Sequence, residues 1–483
     1  MLKQKEQYLD MIETAEKENH EKVQSDSHRL AFHLMPPVGW LNDPNGLCQI
    51  NGTYHVFFQY SPLDAKGGEK FWGHYTSTDM IHWDYVGVPL CPDHMADRNG
   101  VYSGSALVDD GKMCLFYTGN VKEHGNYDYI HDGRGANQIL VTSEDGIHMS
   151  EKLVVLNCED YPNAYTCHIR DPKVWKEHDT YYMVLGGRKM MDPDRTDGTE
   201  YGAVLLYKSE NLTDWEYDRD ITSDKPFGYM WECPDYLVFG KHTYLSVSPQ
   251  GLDREQYRYQ NVYQSGYFTL KSDLHKTDVV TEQDFHEWDY GFDFYAPQTF
   301  EDESGRRILI GWMGLPDIDD EYQNPTTEYG WQHALTVPRV LAEQNDRIYQ
   351  WPVEELEQLR DECTEISGKT EVTVEQGICD IVLTEIYEKS GRIIIGKGLS
   401  LNYQDGVFSM EFTDESGCGR EKRQFVCTSL SELRILVDRS AVEVYVNHGE
   451  AVMTTRFYPE EKACVIQLDL ENYQGTVWSM KEV

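Results

Sequence analysis

TSTDMIHW (residues 76–83), TSEDGIHM (142–149) and KSENLTDW (208–215) are three versions of one phrase, and their serines, Ser77, Ser143 and Ser209, recur every 66 residues. A weaker version, LKSDLHKTD, places Ser272 further along. Between them lie apolar and aromatic runs of strand length, TYHVFFQY, KMCLFYTG, TYYMVLGG, HTYLSVSP and RRILIGWM, most of them followed by small or turn residues. Five runs imply five similar units. A strand unit of this size cannot bury its own apolar face, so the units must pack on one another, and radial closure protects their sheet edges. The expectation is an all-β chain built on a five-bladed β-propeller. A stacked β-solenoid would need long rungs, and the identical intervals argue against coincidence.

The repeat ends near LTVPRVL, which assigns 28–350 to the propeller. WPVEELEQLRDE, with Pro352 early and charges around Leu356 and Leu359, predicts a helical linker within 351–368. From 369 to 483, segments such as LRILVDRSAVEVYVN and ACVIQLDLE alternate polar with apolar, as in a β-sandwich. Residues 1–27 have weak helical character and read as a surface appendage.

Composition narrows the function. With 43 basic against 83 acidic residues and a formal charge of −40, the chain repels phosphate backbones and anionic bilayers, so neither nucleic acid nor a membrane is expected as a partner. No apolar stretch reaches signal-peptide or membrane-spanning length, which predicts a soluble, cytoplasmic protein. Eleven cysteines without CxxC pairs indicate neither a zinc site nor a disulfide framework, and most should be reduced and buried. SGKT (367–370) has Cys363 where a phosphate loop needs glycine, and DPDRTDGTE (192–200) has the wrong spacing for a calcium loop.

Three carboxylates then stand out by context: Asp43 in GWLNDPNG, Asp171 in CHIRDPKVW and Glu232 in MWECPDYLVFG. They fall in the first, third and fourth units. Equivalent strands of a propeller face one central channel, so these acids can converge. Clustered carboxylates repel and split their pKa values, letting one stay protonated while another stays ionised, as glycoside hydrolysis requires. Singly, Asp43 reads as an Asx-turn residue and Asp171 as an ion-pair partner of Arg170. Glu232, flanked by Trp231 and Cys233, lacks the usual solvated setting.

The joint pattern decides. WLNDPNG, RDP and WECP, in this order, resemble the signature motifs of glycoside hydrolase family 32, the β-fructofuranosidases, and FHLMPPVGWLNDPNG, FWGHYTSTDMIHW, YSGSA, FYAPQTF, LTVPR and LRILVDRSAVEVYVN extend the resemblance from about residue 28 to the end. It implies a five-bladed propeller followed by a β-sandwich, with no metal or organic cofactor. By this resemblance Asp43 is the nucleophile that takes up a fructosyl unit, and Glu232, buried against Trp231, is the acid and then the base. Asp171 holds the sugar hydroxyls and stabilises the oxocarbenium-like transition state, with Arg170 orienting it and keeping it ionised. Asn42, Gln59, Trp72, Tyr102 and Ser103 line the fructose pocket, although Trp72 and Tyr102 also fit as blade-core aromatics. A two-step retaining mechanism would place the Asp43 and Glu232 carboxyls about 5 to 5.5 Å apart.

Within that family the chain most resembles the bacterial sucrose-6-phosphate hydrolases and intracellular sucrases. The implied partner is a small sugar: sucrose, sucrose 6-phosphate or a short fructan. A phosphorylated sugar would need basic residues at the pocket rim, and Arg188, Lys189, Arg195 and Arg134 are the candidates. The sandwich resembles the family's lectin-like domain and would serve as structural support or as a homodimer contact. Two rival readings remain, an inverting arabinosidase- or xylosidase-like propeller and a non-catalytic carbohydrate-binding scaffold.

Overall fold

The computed structural model describes residues 4–191, 199–318, 322–387, 389–413 and 415–483. Five sheets of four or five strands are followed by two of six. The strands Gly39–Ile50, Val101–Asp109, Tyr165–Glu177, Met230–Phe239 and Tyr295–Glu301 open the five sheets in turn. Each packs against the next, and the fifth packs against the first, so they close a ring around a central channel. The five-bladed propeller is present. The apolar runs singled out in the sequence are the second strand of each blade, Thr53–Ser61, Lys112–Lys122, Thr180–Met190, His242–Gln250 and Arg307–Trp312. They lack polar alternation because blades cover both of their faces: Met113 to Val121 are all buried. Neighbouring blades share a core, as Phe57, Trp72, Leu115 and Tyr117 do between the first two.

The 66-residue phrase is a turn between the third and fourth strands of a blade. In the first blade, Ser77 Oγ accepts from the backbone N–H of Asp79 and Met80, and Asp79 Oδ1 accepts from those of Ile81 and His82. Ser143 with Asp145 and Ser209 with Asn211 repeat the pattern. All three turns pass through a positive φ at the same place, at Met80 (62°), Gly146 (73°) and Leu212 (68°). The Ser272 version departs because a short 3-10 turn, Leu274–Lys276, leads instead into Val279–Val280, which pairs with the third blade.

The connection between the domains differs from expectation. Strand Arg347–Pro352 completes the fifth blade, a 3-10 turn spans Glu354–Leu359, and Arg360–Glu365 is already an edge strand of the sandwich. Leu356 and Leu359 are buried at the junction with Ile378, Leu436 and Met480, and this tertiary burial displaces a longer helix. The N-terminal residues form a helix, Lys5–Gln24, whose Tyr8 and Ile12 join the core between the first and fifth blades. Tyr8, Ile12 and Val23 are its buried anchors. All eleven cysteines are unpaired and seven are buried.

The FHLMPP stretch ties the domains together. Buried Asp438, in the sandwich, accepts from the backbone N–H groups of Ala31, Phe32 and His33 and from the His33 ring. His33 also reaches Glu443, which accepts from Arg339 of the fifth blade. Burial opposes charge on His33, but its hydrogen bonds to Asp438 and Glu443 and their charges prevail and raise it to about 9. The propeller end stays closed because Trp331–Gln332 pairs in parallel with Gly39 and Trp40. Asp438→Ala strips three buried N–H groups and a charged ring of their acceptor, and should cost about 3–5 kcal/mol. Denaturant unfolding checks this, and a change below about 0.5 kcal/mol would refute the clamp.

Candidate active site

All five ring strands break register at one level. At that level two residues of the inner strand stand opposite one of its neighbour: Asn42 and Asp43, Tyr102 and Ser103, Asp171 and Pro172, Cys233 and Pro234, Ala296 and Pro297. A bulge turns side chains out of the pleat, and proline, which has no N–H for the ladder, is tolerated there. The bulges carry strain, because Asp171 (φ 64°), Cys233 (φ 45°) and Ala296 (φ 45°) are non-glycine residues in left-handed conformations. Together they turn Asn42, Asp43, Tyr102, Ser103 and Asp171, with Arg170 and Glu232 alongside, into one pocket at the channel mouth.

Asp43 is nearly fully buried. Asn42 Nδ2 donates to its Oδ1 at 2.6 Å, and Asn45 Nδ2 donates to its Oδ2 at 3.1 Å. Asn42 is itself fixed by Trp40 Nε1 and Lys70 Nζ, which both donate to its Oδ1, while its Nδ2 also donates to Gln59. Gln59 Nε2 in turn donates to Ser103 Oγ at 3.0 Å. Burial pushes the Asp43 carboxyl up, and hydrogen bonds from Ser103, Asn42 and Asn45 pull it back in part. Lys70, half-buried and without a carboxylate in contact among the described residues, is lowered to about 8 by desolvation, against the attraction of Asp43.

Glu232 is held from both sides. Arg170 Nε donates to its Oε1 at 3.1 Å, while Tyr295 OH and Gln250 Nε2 donate to its Oε2 at 2.6 and 2.7 Å. Arg170, Glu232 and Tyr295 hold the same position in consecutive blades, the last paired residue before the bulge. Arg170 therefore hydrogen-bonds Glu232 and also reaches Asp171 at 3.9 Å, so the ion pair with Asp171 is present and Glu232 is a second partner that the sequence reading did not include. Asp171 Oδ2 instead accepts from the backbone N–H of Cys233 at 3.0 Å. Burial raises Asp171 to about 7; Arg170 opposes the rise, and Glu232 and Asp43 add to it.

Two further expectations change. Trp231 does not bury Glu232, because strand neighbours point to opposite faces and its indole lies in the core between the third and fourth blades. Trp72 is fully buried between the first two blades, donates Nε1 to Tyr102 O, and is absent from the pocket lining. Asn42, Gln59, Tyr102, Ser103 and Arg170 do line it. Lys70, Trp40, Trp312 and Tyr295 line it too and were not singled out. Aligning the residues ahead of proline in RDP, WECP and FYAP would have found Tyr295, one place before the bulge like Glu232.

Of the basic rim candidates, Arg188 is paired with Glu200 and Lys189 with Asp220, Arg134 lines the pocket, and Arg195 lies outside the described residues. One group among the described residues could offer a metal three ligands, His242 with Glu343 and Asp346, within 4.8 Å of one another; none of them lines this pocket. No described helix is long and apolar enough to cross a membrane. The pocket thus gathers three carboxylates, two of them tightly hydrogen-bonded, beside a fixed guanidinium, which suits acid, base and nucleophilic work on a polar, uncharged centre.

The glycosyl hydrolases family 32 N-terminal domain model matches residues 33–352, and the model of that family's C-terminal domain matches 404–481. The sequence is 41% identical over 451 residues to sucrose-6-phosphate hydrolase of Bacillus subtilis (strain 168), covering 90% of each chain. It is 38% identical over 471 residues to a raffinose invertase of Escherichia coli, covering 93% of this chain and 94% of that one. The solved structure of sucrose-6-phosphate hydrolase from Lactobacillus gasseri superposes with a TM-score of 0.87 at 26% identity, covering 97% of this chain and 96% of that one.

The pocket's charge crowding has a measurable cost. Folded Asp171 holds its proton up to about 7, against an ordinary value of 3.8, so its contribution to stability falls as pH rises from 3.8 to 7 and stays lost above that. Asp171→Asn should therefore stabilise the fold more at pH 7.5 than at pH 4.5, by on the order of 2 kcal/mol. Thermal melts of both proteins at the two pH values test it, and an equal effect at both would refute the charge argument.

Proposed function

This chain belongs to glycosyl hydrolase family 32, and we propose that it releases a terminal β-D-fructofuranosyl unit from a small sugar in two steps with retention of configuration. The observation that carries this reading is the convergence of Asp43, Asp171 and Glu232 in one pocket at the mouth of the ring. Asp43 attacks the anomeric carbon. Its two asparagine donors point its lone pairs and favour the ionised form, so the carboxylate is set before the sugar arrives. Glu232 gives a proton to the departing oxygen, and the resulting carboxylate is received by Arg170, Tyr295 and Gln250 without rearrangement. It then takes a proton from the water that opens the fructosyl–Asp43 ester.

Asp171 holds fructosyl hydroxyls. Their O–H groups donate to its carboxylate, and positive charge developing at the ring favours the ionised form further, opposing the upward push that burial imposes. Asn42, Gln59 and Ser103 complete that polar wall, with Trp40 and Trp312 as its apolar side. Substrates consistent with the named relatives are sucrose, sucrose 6-phosphate and other short fructosides. Family membership sets the inverting glycosidase and the non-catalytic scaffold behind this reading.

Asp43→Ala and Glu232→Ala should each lower kcat by about 10³-fold or more on the best substrate, measured as initial fructose release from sucrose, sucrose 6-phosphate, kestose and inulin. Fully active Asp43→Ala would end the proposal. Added methanol should also divert part of the product to methyl β-D-fructofuranoside, identified by NMR, because only a covalent fructosyl-enzyme presents the face that retains configuration.

A further inference from the structure

Arg134 is out of keeping with the rest of the molecule. In a chain of formal charge −40, cations generally find acids. Arg134 lines the pocket with Tyr102, Arg170 and Glu232, yet among the described residues it makes no ion pair and no side-chain hydrogen bond, and its Nε is buried without a partner. Directly across the strand pair from it is Lys122, exposed and likewise without an ion pair among the described residues. A buried donor left unsatisfied is costly, and an unpaired guanidinium is more so. Such a group persists where a ligand completes it.

The surroundings point the same way. His168 sits among Arg170, Arg134 and Arg188; burial first, and then these three cations, hold it neutral. Its Nδ1 accepts from Arg170 Nη1 at 2.7 Å, which leaves Nε2–H to donate to Tyr129 O at 3.2 Å. Arg188 is neutralised by Glu200 and Arg170 by Glu232. Arg134 and Lys122 are the part of this positive patch that no carboxylate among the described residues answers; Lys122 meets only the Tyr129 ring, 5.5 Å from its centroid. Through Arg170 the patch adjoins Glu232, the group that protonates the departing sugar, and Arg134 shares the pocket lining with it.

We infer that Arg134, backed by Lys122, forms an anion subsite for the departing sugar, so that the preferred substrate is a fructoside whose leaving sugar carries a phosphate monoester. A guanidinium binds two phosphate oxygens side by side, and an exposed lysine adds a second positive charge at little cost. A neutral disaccharide would leave both cations unanswered. This inference rests on the fructosidase reading above, and it assigns Arg134 as a specificity-determining residue.

The test is the ratio of kcat/KM for sucrose 6-phosphate to that for sucrose, in the wild type and in Arg134→Gln, Arg134→Lys and Lys122→Ala. The wild-type ratio should exceed 1. Arg134→Gln should lower it about 10- to 100-fold, as expected for loss of a charge-assisted contact. Arg134→Lys should restore part of it and Lys122→Ala should lower it a few-fold. A merely structural role would depress both substrates together and leave the ratio in place, and that result overturns the subsite. A wild type that prefers sucrose overturns the subsite but leaves the fructosidase reading intact. A wild type that cleaves no fructoside overturns both. If Arg134→Gln fails to fold, Arg134→Lys and Lys122→Ala decide, and unchanged ratios in both refute the inference.

Discussion

The constraint on which the rest depends is the closure of five inner strands into a ring whose members all bulge at the same height. Closure removes the free sheet edges and brings residues far apart in the chain onto one circle. The bulges then turn selected side chains out of the ladder, toward the channel mouth. Neither feature alone would build the pocket. A ring of regular strands would present alternating side chains at unrelated heights, and bulges in an open sheet would aim at nothing in common.

The pocket works against stability in a consistent way. Three carboxylates share a desolvated space, and the left-handed backbone at Asp171, Cys233 and Ala296 is of a kind that persists only where surrounding structure enforces it. Compensation comes from neighbours in register: Arg170 and Tyr295 flank Glu232 from the adjacent blades, and the N–H of Cys233 caps Asp171. The same repeat that supplies the fold therefore supplies the supports for the chemistry.

Much of this was legible in the sequence, for identifiable reasons. The 66-residue phrase has a local cause, a Ser and an Asp or Asn that satisfy four N–H groups within one turn, so it survives in the sequence as a pattern. The three acids were legible because each lies one or two residues ahead of a proline, in an unusual context at or next to a bulge. Trp72 was misplaced because FWGH says nothing of which face of its strand meets the pocket, and the contact of Arg170 with Glu232 was missed because a sequence neighbour, Asp171, hides a spatial one. The helical reading of 351–362 failed where Leu356 and Leu359 gain more from burial at the domain junction than a helix would give them. Tyr295 was within reach, but only an alignment of the blades by their prolines exposes it.

The clamp at Asp438 bears on how the chain comes to be folded. A ribosome delivers residues 31–33 first and Asp438 more than four hundred residues later, so the segment leading into the first blade waits through most of synthesis without its acceptor. The edge strand Ala451–Arg456, which takes hydrogen bonds from Tyr290 and Asp293 of the propeller, arrives later still. Until then the fifth blade and the start of the first present unpaired backbone to the cell. The C-terminal domain is thus the last-made part of the scaffold that fixes the first-made motif, and a chain truncated within it would lose the propeller's entrance together with the sandwich.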